Sequence, residues 1–291
     1  MKVFSRTIIG NSFCLVKILN ALKKYAPPNV VFVDNYQDAD LVLLHINGRH
    51  DHFQRFIDVC KKPYVAIQYC IRGTRKKKTT QWRSIWDNAE MVWSYYELDK
   101  YIKEEGGDWS IPNFYHSPLG ADEDIFTNRG NEEKQFIIMS SGWSPKQAIG
   151  AESFNEILEA TVLTNKKMFH LGRTICNNDR VIIGRGITDE ALASRYRSCC
   201  YVSGLRRTEG FEMPAVEGLF CGARPIMYDQ PHYRQWHDKW GIFIPEDNNV
   251  TQNLVKIFQQ EYIPISNEER EEAVEMFNWR KIIIEFWRKL I

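Results

Sequence analysis

No C-x-x-C pair occurs in this chain, and its seven cysteines form an odd set without paired spacing. That spacing argues against a zinc site, and the thiols are expected to be reduced, as in a cytosolic protein. No apolar run approaches the roughly 20 residues that a membrane-spanning helix needs. The opening residues, Met1-Lys-Val-Phe-Ser-Arg6, lack the charged-then-apolar pattern of a secretory signal, so the expected compartment is the cytoplasm. Net charge is almost missing too. Lys and Arg number 38 against 37 Asp and Glu, a balance of +1, so any affinity for nucleic acid or membrane must come from a local patch. Repeats and low-complexity segments are lacking. What remains is a 291-residue chain, long enough for two domains with separate cores.

Residues 3–9 read as a first strand, and further strands are expected at 30–33, 41–45, 64–70 and 91–95, most of them short apolar runs. Runs of this kind are what strands buried in a parallel sheet look like. Between them, residues 14–25 carry Leu15, Ile18, Leu19 and Leu22 on one helical face, and residues 51–60 do the same with Phe53, Phe56, Ile57 and Cys60. The alternation predicts an α/β fold with a parallel sheet and ligands beyond the C-terminal strand ends. Residues 128–134 are polar and free of apolar side chains, as a linker would be. A second alternation follows, with strands at 136–139, 168–171, 181–183, 200–204, 225–228 and 242–244 and helices at 152–163, 189–198 and 250–260. Residues 279–290 place Trp279, Ile283, Phe286, Trp287 and Leu290 at helical spacing, a stripe that reads as core. Three pieces are expected: residues 1–127, 128–275 and a terminal helix within 276–291.

The most informative stretch is Glu209-Gly-Phe-Glu-Met-Pro-Ala-Val-Glu217, continued by Gly218-Leu-Phe-Cys-Gly222-Ala-Arg-Pro225. Pro214 suits the first turn of a helix, where its missing N–H costs nothing. Gly222 suits the position just past the helix end, and Pro225 opens the next strand. The N–H groups of Gly210 and Phe211 fall at that helix N-terminus, where a phosphate or sugar oxygen is favoured. Glu209 and Glu217 bracket the turn. Carboxylates beside a phosphate-attracting helix mouth suit a ligand with hydroxyls and phosphates together, such as a nucleotide sugar.

The stretch resembles the E-x7-E signature of retaining GT-B glycosyltransferases, an EGFG-x-P run followed by EA-x-x-x-G-x-P. Glu212 and Gly218 depart from it, standing for a small residue and an Ala. Residues 117–126 resemble the segment that closes the N-terminal domain in that family. Ser140-Ser-Gly142-Trp-Ser-Pro-Lys146 resembles its donor loop, with Lys146 at the phosphate lysine and Trp143 where an arginine is usual. The resemblance implies two Rossmann-like domains facing a cleft, with a C-terminal helix crossing back to the N-terminal one. It implies a nucleoside-diphosphate sugar donor, UDP-hexose above all, same-face transfer to a hydroxyl, and no metal or other cofactor.

By the same resemblance, Glu209 stabilises charge at the anomeric carbon and Lys146 the leaving diphosphate. Glu217 accepts from the ribose, and Gly10, Gly142, Gly210 and Phe211 bring backbone to the donor. Arg206 or Arg207 could supply the missing second cation, with Arg173 a weaker candidate. Gln68 or Tyr69 stands where the family often has an acceptor-side His. His45, His50 and His52 lie after the preceding strand, and each reads more readily as a satisfied polar residue than as a base.

Residues 72–83 hold six cations and no acid: Arg72, Arg75, Lys76, Lys77, Lys78 and Arg83. A run like this is either a solvated loop or a phosphate-recognition element. With such a loop the chain is similar to phage enzymes that glycosylate hydroxymethylated DNA bases, which would make double-stranded DNA the acceptor and a host cytoplasm the location. Acceptors in cell-surface polysaccharide or lipid-linked glycan stay open, as do a phosphorylase or epimerase on the same fold. A non-catalytic nucleic-acid or sugar-nucleotide binding module is the alternative from another class.

Overall fold

A computed structural model describes residues 1–7, 13–46, 50–69, 79–130, 132–142, 153–172, 176–207 and 210–291. Contacts divide the chain into two units, residues 1–119 with 279–291 and residues 120–278.

The first unit runs β1 (Lys2–Thr7), α1 (Phe13–Lys24), β2 (Val31–Val33), β3 (Leu41–Ile46), α2 (His50–Cys60), β4 (Tyr64–Gln68), α3 (Arg83–Trp86), β5 (Met91–Ser94), α4 (Leu98–Glu104) and β6 (Phe114–His116). Its six strands pair in the order β2-β1-β3-β4-β5-β6, every pair parallel. The central strands β3, β4 and β5 are buried along their whole length, which explains their unbroken apolar runs. Helix α1 turns Leu15, Ile18, Ala21 and Leu22 inward, while Leu19 is only half-buried.

The second unit runs β7 (Phe136–Gly142), α5 (Phe154–Leu163), β8 (Met168–Gly172), β9 (Val181–Gly184), α6 (Asp189–Arg197), β10 (Cys199–Gly204), α7 (Met213–Phe220), β11 (Arg224–Tyr228), α8 (Pro231–His237), β12 (Ile242–Ile244), α9 (Val250–Gln259) and α10 (Asn267–Phe277). Its strands pair in the order β9-β8-β7-β10-β11-β12, again all parallel. That is the strand order of a dinucleotide-binding sheet, and its direction reverses between β7 and β10. Residues 120–127 belong here. The Ala121 N–H donates to Phe277 O at 3.0 Å, Phe126 meets Tyr196 edge to face, and Arg197 donates to Thr127 O.

A last helix, α11 (Trp279–Leu290), returns to the first unit. Trp287 Nε1 donates to Leu22 O at 3.2 Å, Phe286 packs 5.2 Å from the Trp93 ring, and the Tyr115 hydroxyl donates to Ile282 O at 3.0 Å. The aromatic stripe is core, as its spacing predicts. No helix among the described residues is long and apolar enough to cross a membrane, and the six cysteines among them are all free.

Candidate functional site

At the reversal point of the second sheet, the segments leaving β7 and β10 start from neighbouring strand ends. Such a crevice is where open α/β sheets bind ligands. Arg206 ties it together: its Nη2 donates to Ser141 O at 2.7 Å, its Nε lies 3.3 Å from Glu212 Oε2, and its carbonyl accepts from the Tyr233 hydroxyl at 3.0 Å. One side chain therefore links the end of β7 to the residue that caps α7, and its backbone holds α8. Arg207 turns elsewhere. Its Nη2 meets Glu156 Oε1 on α5 at 2.8 Å, with Glu246 at 3.9 Å and the Tyr228 ring 5.4 Å below the guanidinium.

The helix of the signature starts one residue before Pro214, at Met213, with Glu212 as its N-cap and Pro in the first turn. It ends at Phe220, and Gly222 follows with φ +82°, the left-handed conformation that glycine adopts without strain. Glu217 sits in this helix, 3% exposed, and the Tyr196 hydroxyl on α6 donates to its Oε2 at 3.2 Å. Phe211 is buried against Phe277 and the ring of His237, so its side chain packs in the core of the second unit.

Gly218, one of the two departures from the signature, has a steric cause. A Cβ there would come within 2.6 Å of Val202 Cγ1 on β10, because α7 lies close on that strand. Glu212, the other departure, is 2% exposed and paired with Arg206. Each departure answers a partner elsewhere in the fold.

Beneath the crevice lies a small cavity of about 10 Å³, about what one water needs, bounded by the polar Ser140, Ser153, Ser203, His170 and Arg206 and by the apolar Phe154, Ile157 and Leu205. His170 Nδ1 bonds Ser140 Oγ at 2.8 Å, while Nε2 has no partner among the described residues. Burial, helped by the nearby Arg206 cation, pushes this imidazole down to about 4. Gly172 covers it: a Cβ there would strike Gly142 O at 2.3 Å and His170 Nε2 at 2.7 Å. Gly142 is thus the last residue of β7, in close contact with β8. Nothing in the sequence marks His170 or Tyr196, since each acquires meaning only through a partner distant in the chain.

In the first unit, His45 is buried and bridges two hydroxyls, Ser5 Oγ at 3.0 Å through Nε2 and the Tyr69 hydroxyl at 2.7 Å through Nδ1. Burial pushes the imidazole down to about 4, so it is neutral and satisfied. Gln68 is also committed, accepting from Trp86 Nε1 at 3.0 Å. Of the cation-rich stretch, Thr79–Trp82 form a 3-10 turn. Trp82 is buried against Trp86 and His50, and Arg83 pairs with Asp87 at 3.1 Å. Gly10, Arg72, Arg75, Lys76, Lys77, Lys78, Trp143, Lys146, Arg173 and Glu209 lie outside the described residues. Among the described residues no group of three or more His, Cys, Asp or Glu could hold a metal ion.

No family model matches the sequence, and no curated protein matches it. Solved structures do. HepE of Anabaena in complex with UDP-glucose aligns with a TM-score of 0.73 at 13% identity, over 100% of this chain and 99% of that one. The fold is GT-B. Sucrose-phosphate synthase of Thermosynechococcus elongatus aligns at 0.70 and 12% identity over 99% and 97% of the two chains. AviGT4, a glycosyltransferase involved in avilamycin A biosynthesis, aligns at 0.65 and 8% identity over 99% and 96%. The GT-B likeness therefore runs through both sheets and the returning helix.

Proposed function

We propose that this chain is a retaining, metal-independent glycosyltransferase that moves a hexose from UDP to a hydroxyl acceptor. One observation carries the reading. The described part of the signature stretch, residues 210–217, follows β10 where that strand neighbours β7, with the N-terminal end of α7 and the buried Glu217 in it, and this supports the reading. The UDP-glucose held by HepE, a protein of the same fold over its whole length, supports the choice of donor.

In this reading Glu217 takes the ribose hydroxyls, held in orientation by Tyr196. The N–H groups of Gly210 and Phe211 face the diphosphate at the helix mouth. Lys146 stabilises the charge that grows on the departing diphosphate, and Glu209 the positive charge at the anomeric carbon. Arg207 is the better candidate for a second cation than Arg206. Its acidic partners are partly exposed, whereas Arg206 is occupied with a buried carboxylate. Gly10 and Gly142 bring backbone close to the donor from either domain. The units serve as acceptor half (1–119 with 279–291) and donor half (120–278), so the boundary falls before residues 120–127 rather than after them.

The acceptor proposed is hydroxymethylated or already glycosylated DNA, gripped by Arg72, Arg75, Lys76, Lys77 and Lys78. Duplex binding would then weaken with salt, by roughly 0.9 in log affinity per log salt for each phosphate neutralised. Identical slopes in wild type and in a Lys76/Lys77/Lys78→Ala variant would return these residues to solvent.

The donor reading is tested by calorimetry against UDP-glucose, other UDP-hexoses and GDP-glucose, followed by transfer assays with EDTA present. Glu209→Ala and Lys146→Ala should bind UDP yet lose turnover. No binding of any UDP-sugar by the wild type overturns the proposal. A product of inverted anomeric configuration overturns its retaining part.

A further inference from the structure

On the first unit an open groove of about 410 Å³ is lined by Arg6, His52, Arg55, Phe56 and Val59. Arg6 is the next-to-last residue of β1, and the other four lie on α2. Each guanidinium is steadied by one contact, and among the described residues no hydrogen bond engages the terminal amino groups of either. Arg6 rests 4.9 Å over the Phe56 ring, which is itself held edge-on by Tyr36 at 5.6 Å. Arg55 uses only its Nε, on Asp51 O at 3.1 Å. Among the described residues no carboxylate pairs with either arginine, and residues 8–12, 47–49 and 70–78 contain no Asp or Glu at all. The acids of α2 are engaged otherwise: Asp51 lies 3.3 Å from His50 Nδ1, and Asp58 accepts from Gln54 Nε2 at 3.0 Å.

We infer that this groove binds a phosphate monoester. The anion site stands apart from the glycosyltransferase reading above and from its DNA acceptor. Two guanidinium forks arriving from different elements suit a tetrahedral dianion, which can accept from both at once, whereas a lone carboxylate is filled by one fork. His52 adds an N–H donor at the rim. Val59, 72% exposed, and the half-buried Phe56 supply an apolar wall for the carbon skeleton that bears the phosphate.

The test uses the intact protein, with and without UDP, and follows the Nε–Hε resonances of Arg6 and Arg55 in a ¹⁵N spectrum. The probes are inorganic phosphate, phenyl phosphate, acetate and a short DNA duplex. Arg6→Gln and Arg55→Gln assign the two signals, and unchanged thermal midpoints certify that both variants are folded.

Phosphate should shift both resonances saturably, phenyl phosphate several-fold more tightly, and each variant should bind about tenfold more weakly or worse, having lost one charge-assisted fork. Absence of a saturable shift at millimolar phosphate overturns the site, as does binding that survives both substitutions or acetate binding as well as phosphate. A duplex that shifts the same two signals at lower concentration than phenyl phosphate overturns the monoester in favour of a nucleic-acid backbone. If UDP fails to bind while phosphate still shifts these arginines, the donor reading falls and the anion site stands.

Discussion

The hydroxyl of Tyr196 donates to Oε2 of Glu217 at 3.2 Å, joining α6 to the buried carboxylate of the signature helix. A carboxylate this far from water needs hydrogen-bond donors, and one of them comes from a residue 21 positions earlier. Tyr196→Phe should therefore disorder the Glu217 head while leaving the ring packed against Phe126. We expect donor affinity to fall about three- to tenfold and stability by about 1 kcal/mol. Glu217→Ala should weaken the donor by about 1–3 kcal/mol. Calorimetry with UDP on both variants checks the order; full affinity in Glu217→Ala removes the ribose role.

Arg206 and Arg207 are adjacent in sequence and opposed in task. Removing Arg206 strands Glu212, 2% exposed, without its cation, and breaking a buried pair from one side costs about 3–5 kcal/mol. Arg207 holds partly exposed partners, so Arg207→Ala should cost about 1 kcal/mol or less. Urea unfolding of the two variants should separate them clearly. Turnover measured under folded conditions should fall in Arg207→Ala if it serves the diphosphate.

Restoring the usual signature alanine should harm this protein. Gly218→Ala gains helix propensity but drives a methyl into Val202, an overpacking cost of about 1–3 kcal/mol. Val202→Ala opens the same space from the other side. The double variant should be more stable than the sum of the singles predicts, and a coupling of zero in that cycle would show that α7 simply shifts away from β10.

Acid should weaken the fold through three imidazoles. Burial pushes His45 and His170 down to about 4 and His237 down to about 3, the Arg206 cation adding to the effect at His170. In the unfolded chain each titrates near 6.5. Their contribution is thus complete above that pH and is lost as pH falls from 6.5 through 4 toward 3, by about 1.4 kcal/mol per pH unit for each histidine. Both ring nitrogens of His237 lack partners among the described residues, and the ring stacks on Phe277. His237→Leu should raise the thermal midpoint at pH 5 and flatten its slope between pH 5 and 7. Parallel curves for variant and wild type would contradict this.

The sequence reveals what local chemistry dictates. The signature helix is legible to within a residue because Pro214 and Gly222 have fixed backbone uses, and α11 is legible from its stripe. Helix α10 hides, because charged residues surround Ala273 and Phe277 and erase the period. Its readable sign is the capping box of Ser266 and Glu269. Strand β6, three residues long, and the polar α8 carry still less pattern. The site is legible as a list of side chains but not as partnerships. Nothing local marks Tyr196 for Glu217, or Val202 as the reason for Gly218.

The return of α11 makes the first unit discontinuous along the chain. A ribosome releases residues 1–119, then all of 120–278, and only afterwards the helix whose Trp287 reaches Leu22. During that interval the second sheet can fold to completion, while the first waits with the α1 face and Trp93 uncovered. A translation stall or nonsense codon just past residue 278 would therefore yield a protein whose finished half is the later-made one and whose earlier half presents an apolar surface to chaperones and proteases. In this architecture, vectorial synthesis makes the last helix a checkpoint for the first domain.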